Sequence, residues 1–215
     1  MSLVMENVSF RYPDGVFGFF CESFSIQTGE TVIVRGPNGS GKSTLLKLLI
    51  GVMQPIGGDI YCDGEETAQL SLFELGERIG YLFQEPERQL FASTVLEELT
   101  ILSDLLGRVD DHADQKARTL LAQFGLAGYE QRSVLTLSRG EKQRLALCAI
   151  LMQEPSYLLL DEPTTGLDQR NRARLRESLG ELVKRDVGIV LVTHDDECSC
   201  WGDRVVQLEA GVVAS

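Results

Sequence analysis

Eight consecutive residues near the start of the chain have the composition of a phosphate-binding loop. The segment reads G-x-x-x-x-G-K-S, and its residues are Gly36, Pro37, Asn38, Gly39, Ser40, Gly41, Lys42 and Ser43, followed by Thr44. The glycines let the backbone approach a phosphate closely and point successive N–H groups at it. Lys42 would reach the β- and γ-phosphates of a nucleotide, and the Ser43 hydroxyl would bind Mg²⁺. The loop therefore predicts a nucleoside triphosphate site.

A second group of candidate residues is a pair of adjacent carboxylates. Asp161 and Glu162 follow a run of three leucines that ends at Leu160. Asp161 could hold Mg²⁺ through water, and Glu162 could polarise a water molecule for in-line attack on the γ-phosphate. Taken alone, the pair fits a strand that ends in a solvated acidic turn equally well, so these two residues leave both interpretations open.

Apolar runs beside these residues predict the elements that position them. The β-branched run at 31–34 precedes the phosphate loop, and residues 44–50 after it have the apolar pattern of a helix packed on a sheet. Core strands are expected to end at Arg35, Phe83, Leu160 and Thr193. We also predict antiparallel strands at 3–12 and 19–26, a further strand and turn at 59–64, helices at 94–106 and 113–124, and a strand at 204–208 before a turn at Gly211.

Further segments, in a fixed order along the chain, resemble the motifs of the nucleotide-binding domain of ABC transporters. Residues 137–144 (LSRGEKQR) resemble the signature segment of that family, and residues 161–168 (DEPTTGLD) resemble its Walker B segment running into the D-loop. His194 resembles the switch histidine, Gln84 resembles the Q-loop glutamine, and Tyr12 stands where the family places the aromatic residue that stacks on adenine. The resemblance covers essentially the whole chain.

The fold implied by this resemblance is of the α/β class. It is a P-loop NTPase of the ABC ATPase type, with a mixed β-sheet core, an antiparallel β subdomain and an inserted α-helical subdomain. Residues 1–215 would form a single ABC ATPase domain. Within it, residues 1–84 and 155–215 would form the core with its antiparallel part, and residues from about 85 to 154 would form the helical subdomain that carries the signature.

The same resemblance implies a site shared by two subunits. Ser138 and the backbone N–H of Gly140, at the start of a helix, would contact the γ-phosphate of ATP bound to the opposite subunit. His194 would bond the γ-phosphate, Gln84 would reach Mg²⁺ or the attacking water, and Asp168 would touch the phosphate loop of the partner. Catalytic roles thus fall to Glu162, His194, Gln84 and Lys42, and Mg²⁺ ligation falls to Ser43, Gln84 and Asp161, with ATP and Mg²⁺ as the cofactors.

The signature departs from its commonest form at two positions. The family usually has glycine where this chain has Arg139, and glutamine where it has Glu141. The two expected phosphate contacts, Ser138 and Gly140, are retained. Arg139 adds bulk and charge beside the site of the partner, and the sequence leaves open whether it is neutral or weakens one site of an asymmetric pair.

The residues after Gln84 are similar to the extended Q-loop of energy-coupling-factor ATPases. The pattern Gln-x-Pro-x-x-Gln-Leu-Phe spans residues 84–91 and is followed by Thr-Val-x-Glu-Glu at 94–98. This similarity implies a subunit that powers import of vitamins or of cobalt or nickel ions through a separate transmembrane coupling protein. A second ABC ATPase subunit, identical or not, would close on ATP. The alternatives are a switch ATPase of a cell-division or lipoprotein-release complex and, less favoured, a DNA-repair ABC ATPase.

Composition indicates the cellular setting. The chain has 215 residues, a net charge of −12 and a pI near 4.6, which argues against a general nucleic-acid surface. No apolar run approaches the roughly 20 residues that span a bilayer, and no signal segment is evident. The five scattered cysteines fit reduced thiols. We expect a cytoplasmic protein, peripheral on the inner face of the cell membrane, that does not itself span it and has no nucleic-acid partner.

Overall fold

The computed structural model describes residues 1–13, 15, 17–105 and 112–214. Strands and helices alternate along most of these residues. The strands are β1 (Ser2–Arg11), β2 (Gly18–Gln27), β3 (Thr31–Arg35), β4 (Gly57–Cys62), β5 (Glu65–Glu66), β6 (Ile79–Leu82), β7 (Tyr157–Asp161), β8 (Gly188–Thr193), β9 (Arg204–Glu209) and β10 (Val212–Ala214). The α-helices are α1 (Lys42–Leu49), α2 (Leu72–Arg78), α3 (Val95–Leu105), α4 (Ala113–Gln123), α5 (Arg139–Leu151) and α6 (Gln169–Val183). Short 3₁₀ helices cover Thr67–Gln69, Pro86–Gln89, Val134–Thr136 and Asp196–Trp201.

The strands form one mixed sheet in the order β5-β4-β1-β2-β10-β9-β3-β8-β7-β6. The first four of these pair antiparallel, and β9, β3, β8, β7 and β6 pair parallel. Strand β10 joins the two parts, since it pairs antiparallel with β9 and parallel with β2. An antiparallel part and a parallel part thus share a single hydrogen-bonded sheet.

The central parallel strands are buried on both faces, as their unbroken apolar runs predict. In β3, Ile33 packs into one apolar cluster while Val32 and Val34 pack into another on the opposite face. The first cluster includes α3, α4, α5 and α6, and the second includes α1 and the antiparallel strands. The sheet is therefore held between two cores.

Four neighbouring parallel strands bring the predicted site residues to one edge of the sheet. Strands β3, β8, β7 and β6 lie side by side in that order. The phosphate loop follows β3, His194 follows β8, Asp161 ends β7, and Gln84 comes two residues after β6. Because the carboxyl ends of parallel strands meet at the same edge, residues far apart in sequence converge there.

Helices make up the regular elements of the segment between β6 and β7 where it is described. Helices α3, α4 and α5 lie in it, and its β-pairing there is limited to an isolated bridge between Thr94 and Ser133. The division into a core and a helical subdomain stays a prediction, with which this placement agrees. Among the described residues, no helix combines the length and apolar character needed to cross a membrane.

Most predicted elements lie within two residues of those in the structure, but several elements of the structure were not predicted, and the longest of these is α6. The turn at Gly211 is followed by β10, a strand that was not predicted. Helices α2 and α6 were not predicted either. The helix expected at 94–106 is α3, which ends at Leu105, and Leu106 lies outside the described residues.

Candidate active site

A cleft of about 570 Å³ opens at the carboxyl edge of the parallel strands. Its lining residues are Tyr12, Phe17, Asn38, Gly39, Gly41, Lys42, Ser43, Thr44, Gln84, Asp161 and Glu162. All but Phe17 were predicted from the sequence as site residues. A larger cavity of about 1000 Å³ lies elsewhere, between α4 and the C-terminal part of α6, and none of the predicted site residues lines it. The smaller cleft is therefore the one that the predicted site residues line.

The phosphate loop is shaped by the glycine positions and by Lys42. A Cβ atom on Gly36 would overlap the carbonyl oxygen of Leu208, so a side chain there would displace the loop from the sheet. Gly41 precedes α1 in a left-handed conformation, with φ of 105°. The ammonium group of Lys42 donates to the carbonyl oxygens of Gly36 and Pro37 at 2.8 and 3.1 Å. Lys42 thus lies inside the curve of the loop, at the positive end of α1.

Glu162 is held between two other predicted catalytic residues. Its Oε2 atom lies 2.8 Å from Nδ1 of His194, and its Oε1 atom lies 3.8 Å from Nζ of Lys42. The Glu162 and Lys42 side chains are each 7% exposed, whereas His194 is largely exposed. The backbone at Glu162 is left-handed, with φ of 51°, and its N–H donates to the carbonyl oxygen of Val192 at 3.0 Å. The structure therefore brings together Lys42, Glu162 and His194.

Asp161 is buried beside the phosphate loop and accepts two hydroxyl hydrogen bonds. One comes from Ser43, and the other comes from Tyr81 with an O···O distance of 3.2 Å. Burial raises the pKa of the Asp161 carboxyl, and these hydrogen bonds and the charge of Lys42 oppose that rise. Burial likewise raises the pKa of the Tyr81 hydroxyl, so that this group stays protonated and can donate. Tyr81 was not predicted as part of the site.

The residues around Asp161 fit a magnesium ion that is held mainly by a nucleotide. Hydroxyl and carboxylate oxygens are the ligands that Mg²⁺ prefers, and Ser43 and Asp161 supply one of each. Within the described part of the chain, no cluster of three or more His, Cys, Asp or Glu side chains could hold a metal ion. A Mg²⁺ ion with few protein ligands completes its shell with phosphate oxygens and water, as expected beside a phosphate loop.

Two aromatic rings border the cleft on the side of the β1–β2 connection. The Tyr12 hydroxyl lies 3.0 Å from Oγ1 of Thr44, and the ring centroids of Tyr12 and Phe17 are 6.1 Å apart. Tyr12 was predicted to stack on adenine, and the structure places it at the cleft. Phe17 has no motif of its own. In the sequence, Phe17 can be recognised as an aromatic residue in the same β1–β2 connection as Tyr12.

Gln84 lines the cleft, and the loop after it is held by side-chain hydrogen bonds. Gln89 accepts from the Phe83 N–H at 2.9 Å. The buried carboxylate of Glu98, in the first turn of α3, accepts from the N–H groups of Phe91 and Ala92 at 2.8 and 2.7 Å. The loop thus has a defined conformation in which the Phe91 ring is 79% exposed.

Ser138 and Gly140 lie outside this cleft, at the exposed start of α5. Ser138 is the N-cap of the helix, and a capping box joins it to Glu141. Glu141 Oε2 accepts from the Ser138 N–H at 2.8 Å, and its Oε1 accepts from the Tyr129 hydroxyl at 2.9 Å. These hydrogen bonds, led by the one from the Ser138 backbone, hold the pKa of Glu141 below its usual value. Glu141, one of the two departures in the signature, therefore stabilises the helix start.

The start of α5 packs against the D-loop of the same subunit, here residues 163–168. A Cβ atom on Gly140 would lie 3.3 Å from the Leu167 side chain, and one on Gly166 would lie 3.6 Å from Nη1 of Arg139. The Gln143 side chain donates to the carbonyl oxygen of Pro163. Arg139, the other departure, therefore lies across the D-loop of its own chain. Asp168, at the end of that loop, is exposed and caps α6 by accepting from the N–H of residue 171 at 2.8 Å.

Comparison with known proteins identifies the family. The family model described as ABC transporter matches residues 22–165. A putative ABC transporter ATP-binding protein of Pyrococcus abyssi is 41% identical over 209 residues, which cover 97% of this chain and 80% of the relative. The energy-coupling factor transporter ATP-binding protein EcfA of Methanothermobacter thermautotrophicus is 36% identical over 210 residues, covering 96% and 68%.

Solved structures agree with this match over the whole fold. The structure of cbiO1 from Clostridium perfringens, described as part of the ABC transporter complex cbiONQ, superposes with a TM-score of 0.90 at 30% identity, covering 99% of this chain and 86% of that one. A dimeric ATP-binding cassette in a post-hydrolysis state with ADP and Pi gives a TM-score of 0.86 at 29% identity, covering 99% and 97%. The chain belongs to the ABC transporter family, as an ATP-binding subunit. It is an ATPase, and the predicted fold class is confirmed.

The roles of individual residues stay predictions, but their placement forms two groups. The first group lines the cleft or bonds to it, and its members are Tyr12, residues 36–44, Gln84, Asp161, Glu162 and His194. The second group lies apart from it, at the start of α5 and at the D-loop, and its members are Ser138, Gly140 and Asp168. One subunit therefore does not bring the second group to its own cleft.

Proposed function

We propose that this chain is the ATP-hydrolysing subunit that powers solute import through a separate membrane protein of the energy-coupling-factor type, with a vitamin or a transition-metal ion as the solute. The observation that carries the proposal is the loop 84–91, which has a Gln-x-Pro-x-x-Gln-Leu-Phe sequence and a hydrogen-bonded conformation that exposes Phe91. Relatives named as energy-coupling factor ATP-binding proteins, and the likeness to cbiO1, support it.

In the proposed cycle, ATP binds in the cleft and two subunits close over it. The loop amides and Lys42 hold the phosphates, and the ring of Tyr12 stacks on adenine. A bound Mg²⁺ would supply positive charge at the phosphate oxygens, held on the protein side by Ser43 and Asp161, with Gln84 in reach. Each subunit would present Ser138 and the Gly140 N–H to the ATP of the other.

The hydrolytic step rests on the Glu162–His194 pair. Glu162 accepts a proton from the attacking water, and His194 holds the Glu162 carboxylate and bonds the γ-phosphate. The water oxygen bonds to the γ-phosphorus as the bond from that phosphorus to the bridging oxygen breaks, which gives ADP and phosphate with no covalent intermediate on the protein. Release of phosphate would remove the contact that joins the two subunits and reopen them.

A surface next to the cleft is suited to the membrane partner. Phe83 and Phe91 of the loop are 42% and 79% exposed. Exposed apolar groups mark interaction sites when they lie together, as these two rings do on one loop. We assign this loop face to the cytoplasmic helices of the transmembrane coupling protein.

Co-purification tests the proposal. The tagged chain is expressed in its native host, membranes are solubilised gently, and the co-purifying proteins are identified by mass spectrometry. We expect a transmembrane coupling protein, a small substrate-binding membrane protein and a second ATPase subunit, identical or not. A division or lipoprotein-release complex would establish the switch-ATPase alternative instead. Recovery of a DNA-bound protein without membrane partners would contradict transport.

A matched pair of variants tests the docking face in the same experiment. Phe91→Ser should lose the membrane partner because it removes the exposed aromatic ring from the loop. Phe20→Ser makes the same change at a ring on β2 that is 45% exposed and lies outside the proposed face. It should retain the partner. Equal recovery with both variants would contradict the assignment of this surface.

A further inference from the structure

Arg172, in the first turn of α6, contacts two loops that belong to different parts of the proposed site. Its Nε donates to the carbonyl oxygen of Leu167, in the D-loop, at 3.3 Å. Its Nη1 donates to Oδ2 of Asp195 and lies 3.4 Å from Oε2 of Glu197. Asp195 directly follows His194. One guanidinium group therefore joins the D-loop to the segment that carries the switch histidine.

The Asp195 end of this contact is itself firmly held. Oδ1 of Asp195 accepts from the Glu197 N–H at 3.0 Å and caps the 3₁₀ helix that follows. The Asp195 N–H donates to Oγ1 of Thr193 at 3.0 Å. The Asp195 side chain is 19% exposed, so its charged hydrogen bond to Arg172 is partly shielded from water. A displacement of Arg172 would therefore be passed to the backbone next to His194.

A second ion pair fixes the other side of the same segment. Arg35, at the end of β3, pairs with Asp196 and so joins the strand before the phosphate loop to the residues after His194. The His194 segment is thus held to the nucleotide-binding side by Arg35 and to the D-loop by Arg172. Of these two links, the one to the D-loop involves a segment of this chain that is expected to contact the partner subunit.

We propose that Arg172 is a positioning residue that couples the D-loop to His194, so that contact of Asp168 with the partner subunit sets the geometry of the Glu162–His194 pair. The inference rests on the two-subunit site of the proposed function. Arg172 touches neither the predicted nucleotide contacts nor the attacking water. Through its bonds to the D-loop and to Asp195, it couples contact with the partner subunit to the position of the Glu162–His194 pair in its own chain.

Three variants separate this role from a structural one. Arg172→Gln removes the charge and the bidentate reach of the guanidinium. Asp195→Asn keeps the shape of the other end and its capping oxygen but removes the charge. Arg176→Gln is the matched control, since Arg176 lies one turn further along α6 and bonds to the carbonyl oxygen of Cys200 at 3.3 Å, away from the D-loop and Asp195.

We expect Arg172→Gln and Asp195→Asn each to lower kcat about tenfold, as the loss of a charged hydrogen bond implies, with ATP binding unchanged within about twofold. The Hill coefficient for ATP should fall towards one in both. Because both changes break the Arg172–Asp195 contact, the double variant should be no worse than Arg172→Gln alone. Arg176→Gln should behave as wild type. These values come from steady-state kinetics and from titration of each variant with a fluorescent ATP analogue.

Several results would overturn the inference. It is wrong if Arg172→Gln matches Arg176→Gln in kcat and in Hill coefficient. It is equally wrong if a folded Asp195→Asn protein retains wild-type values of both. ATP-dependent dimerisation of the Glu162→Gln protein, measured by analytical ultracentrifugation, tests the two-subunit site separately from the role of Arg172. Absence of that dimer overturns the two-subunit site and this inference together, whereas a dimer with unaltered Arg172→Gln kinetics overturns the inference alone.

Discussion

Glu162 illustrates how much depends on one residue in an uncommon conformation. It has a left-handed backbone at the end of a buried strand, and its N–H is bonded to the neighbouring strand β8. This geometry turns its carboxylate away from the apolar core and towards Lys42 and His194. Non-glycine residues with this backbone are uncommon and cluster at functional sites. The position of the carboxylate is therefore set by the backbone as well as by its partners.

Replacement of Glu162 by glutamine should separate ATP binding from hydrolysis. The amide keeps the shape of the side chain but cannot take a proton from water, so we expect turnover to fall by about 10²- to 10⁴-fold while ATP binding persists. A closed dimer should accumulate with ATP. The control is Glu177→Gln, the same change at an exposed position on α6. Phosphate release and sedimentation measure the two effects, and unchanged turnover in Glu162→Gln would exclude Glu162 as the base.

Among the helices, α5 shows how a short sequence pattern fixes an element of the site. Ser138 and Glu141 form a capping box, the same device with which Ser71 and Glu74 begin α2. The Ser138 oxygen accepts from the Glu141 N–H, and the Ser138 side chain is also hydrogen-bonded to the Glu141 carboxylate. The start of α5 is thus fixed by two residues three positions apart.

The capping box should make stability depend on pH in a predictable direction. The pKa of Glu141 is lower in the folded chain, so the stability that its charge contributes is present above the ordinary Glu pKa and is lost as pH falls through the lower folded value. We expect Glu141→Ala to lose about 1 kcal/mol at pH 7, as for other caps. Urea unfolding at pH 7 and at stepwise lower pH measures this. The gap in unfolding free energy between the wild-type protein and Glu141→Ala should shrink only below about pH 4.5. Glu141→Gln, whose side chain can still cap the helix, should lose less stability at pH 7.

Local patterns of this kind explain how much could be predicted from the sequence. The phosphate loop, the strand ends at Asp161 and Thr193, and the start of α5 each follow from neighbouring residues, and they were located to within two residues. Arg172 could not be located in this way, because its contacts depend on how distant segments meet and no spacing in the sequence records that. The strand β10 has three residues and gains its hydrogen bonds from β9 and β2, so its short sequence gave no distinct signal.

On the scale of the whole molecule, the two parts of the sheet are joined by more than β10. Tyr157, at the start of β7, has a fully buried ring, and its hydroxyl donates to Oδ1 of Asp63 at 2.6 Å. Asp63 follows β4, near the opposite end of the sheet order from β7. Tyr157 belongs to the second core, and this hydrogen bond ties the antiparallel part to the parallel part that carries the site.

Loss of this hydrogen bond should lower global stability without touching the site. We expect Tyr157→Phe to reduce the free energy of unfolding by about 1–3 kcal/mol, since the partner is a charged group. Tyr61→Phe is the matched control on β4, where the phenol makes no such bond, and its change should stay within about 0.5 kcal/mol. Urea denaturation measures both. Equal effects of the two changes would show that the Tyr157–Asp63 bond adds nothing to the joint between the two parts.

The order of the strands also has a consequence for how copies of the chain meet. One margin of the sheet is β5, with two residues, Glu65 and Glu66, and the other is β6, with four residues and with α2 and α5 packed beside it. Very short, charged or covered margins leave few free backbone groups on which a foreign strand could build. We therefore expect copies of this chain to resist edge-to-edge aggregation through these two margins.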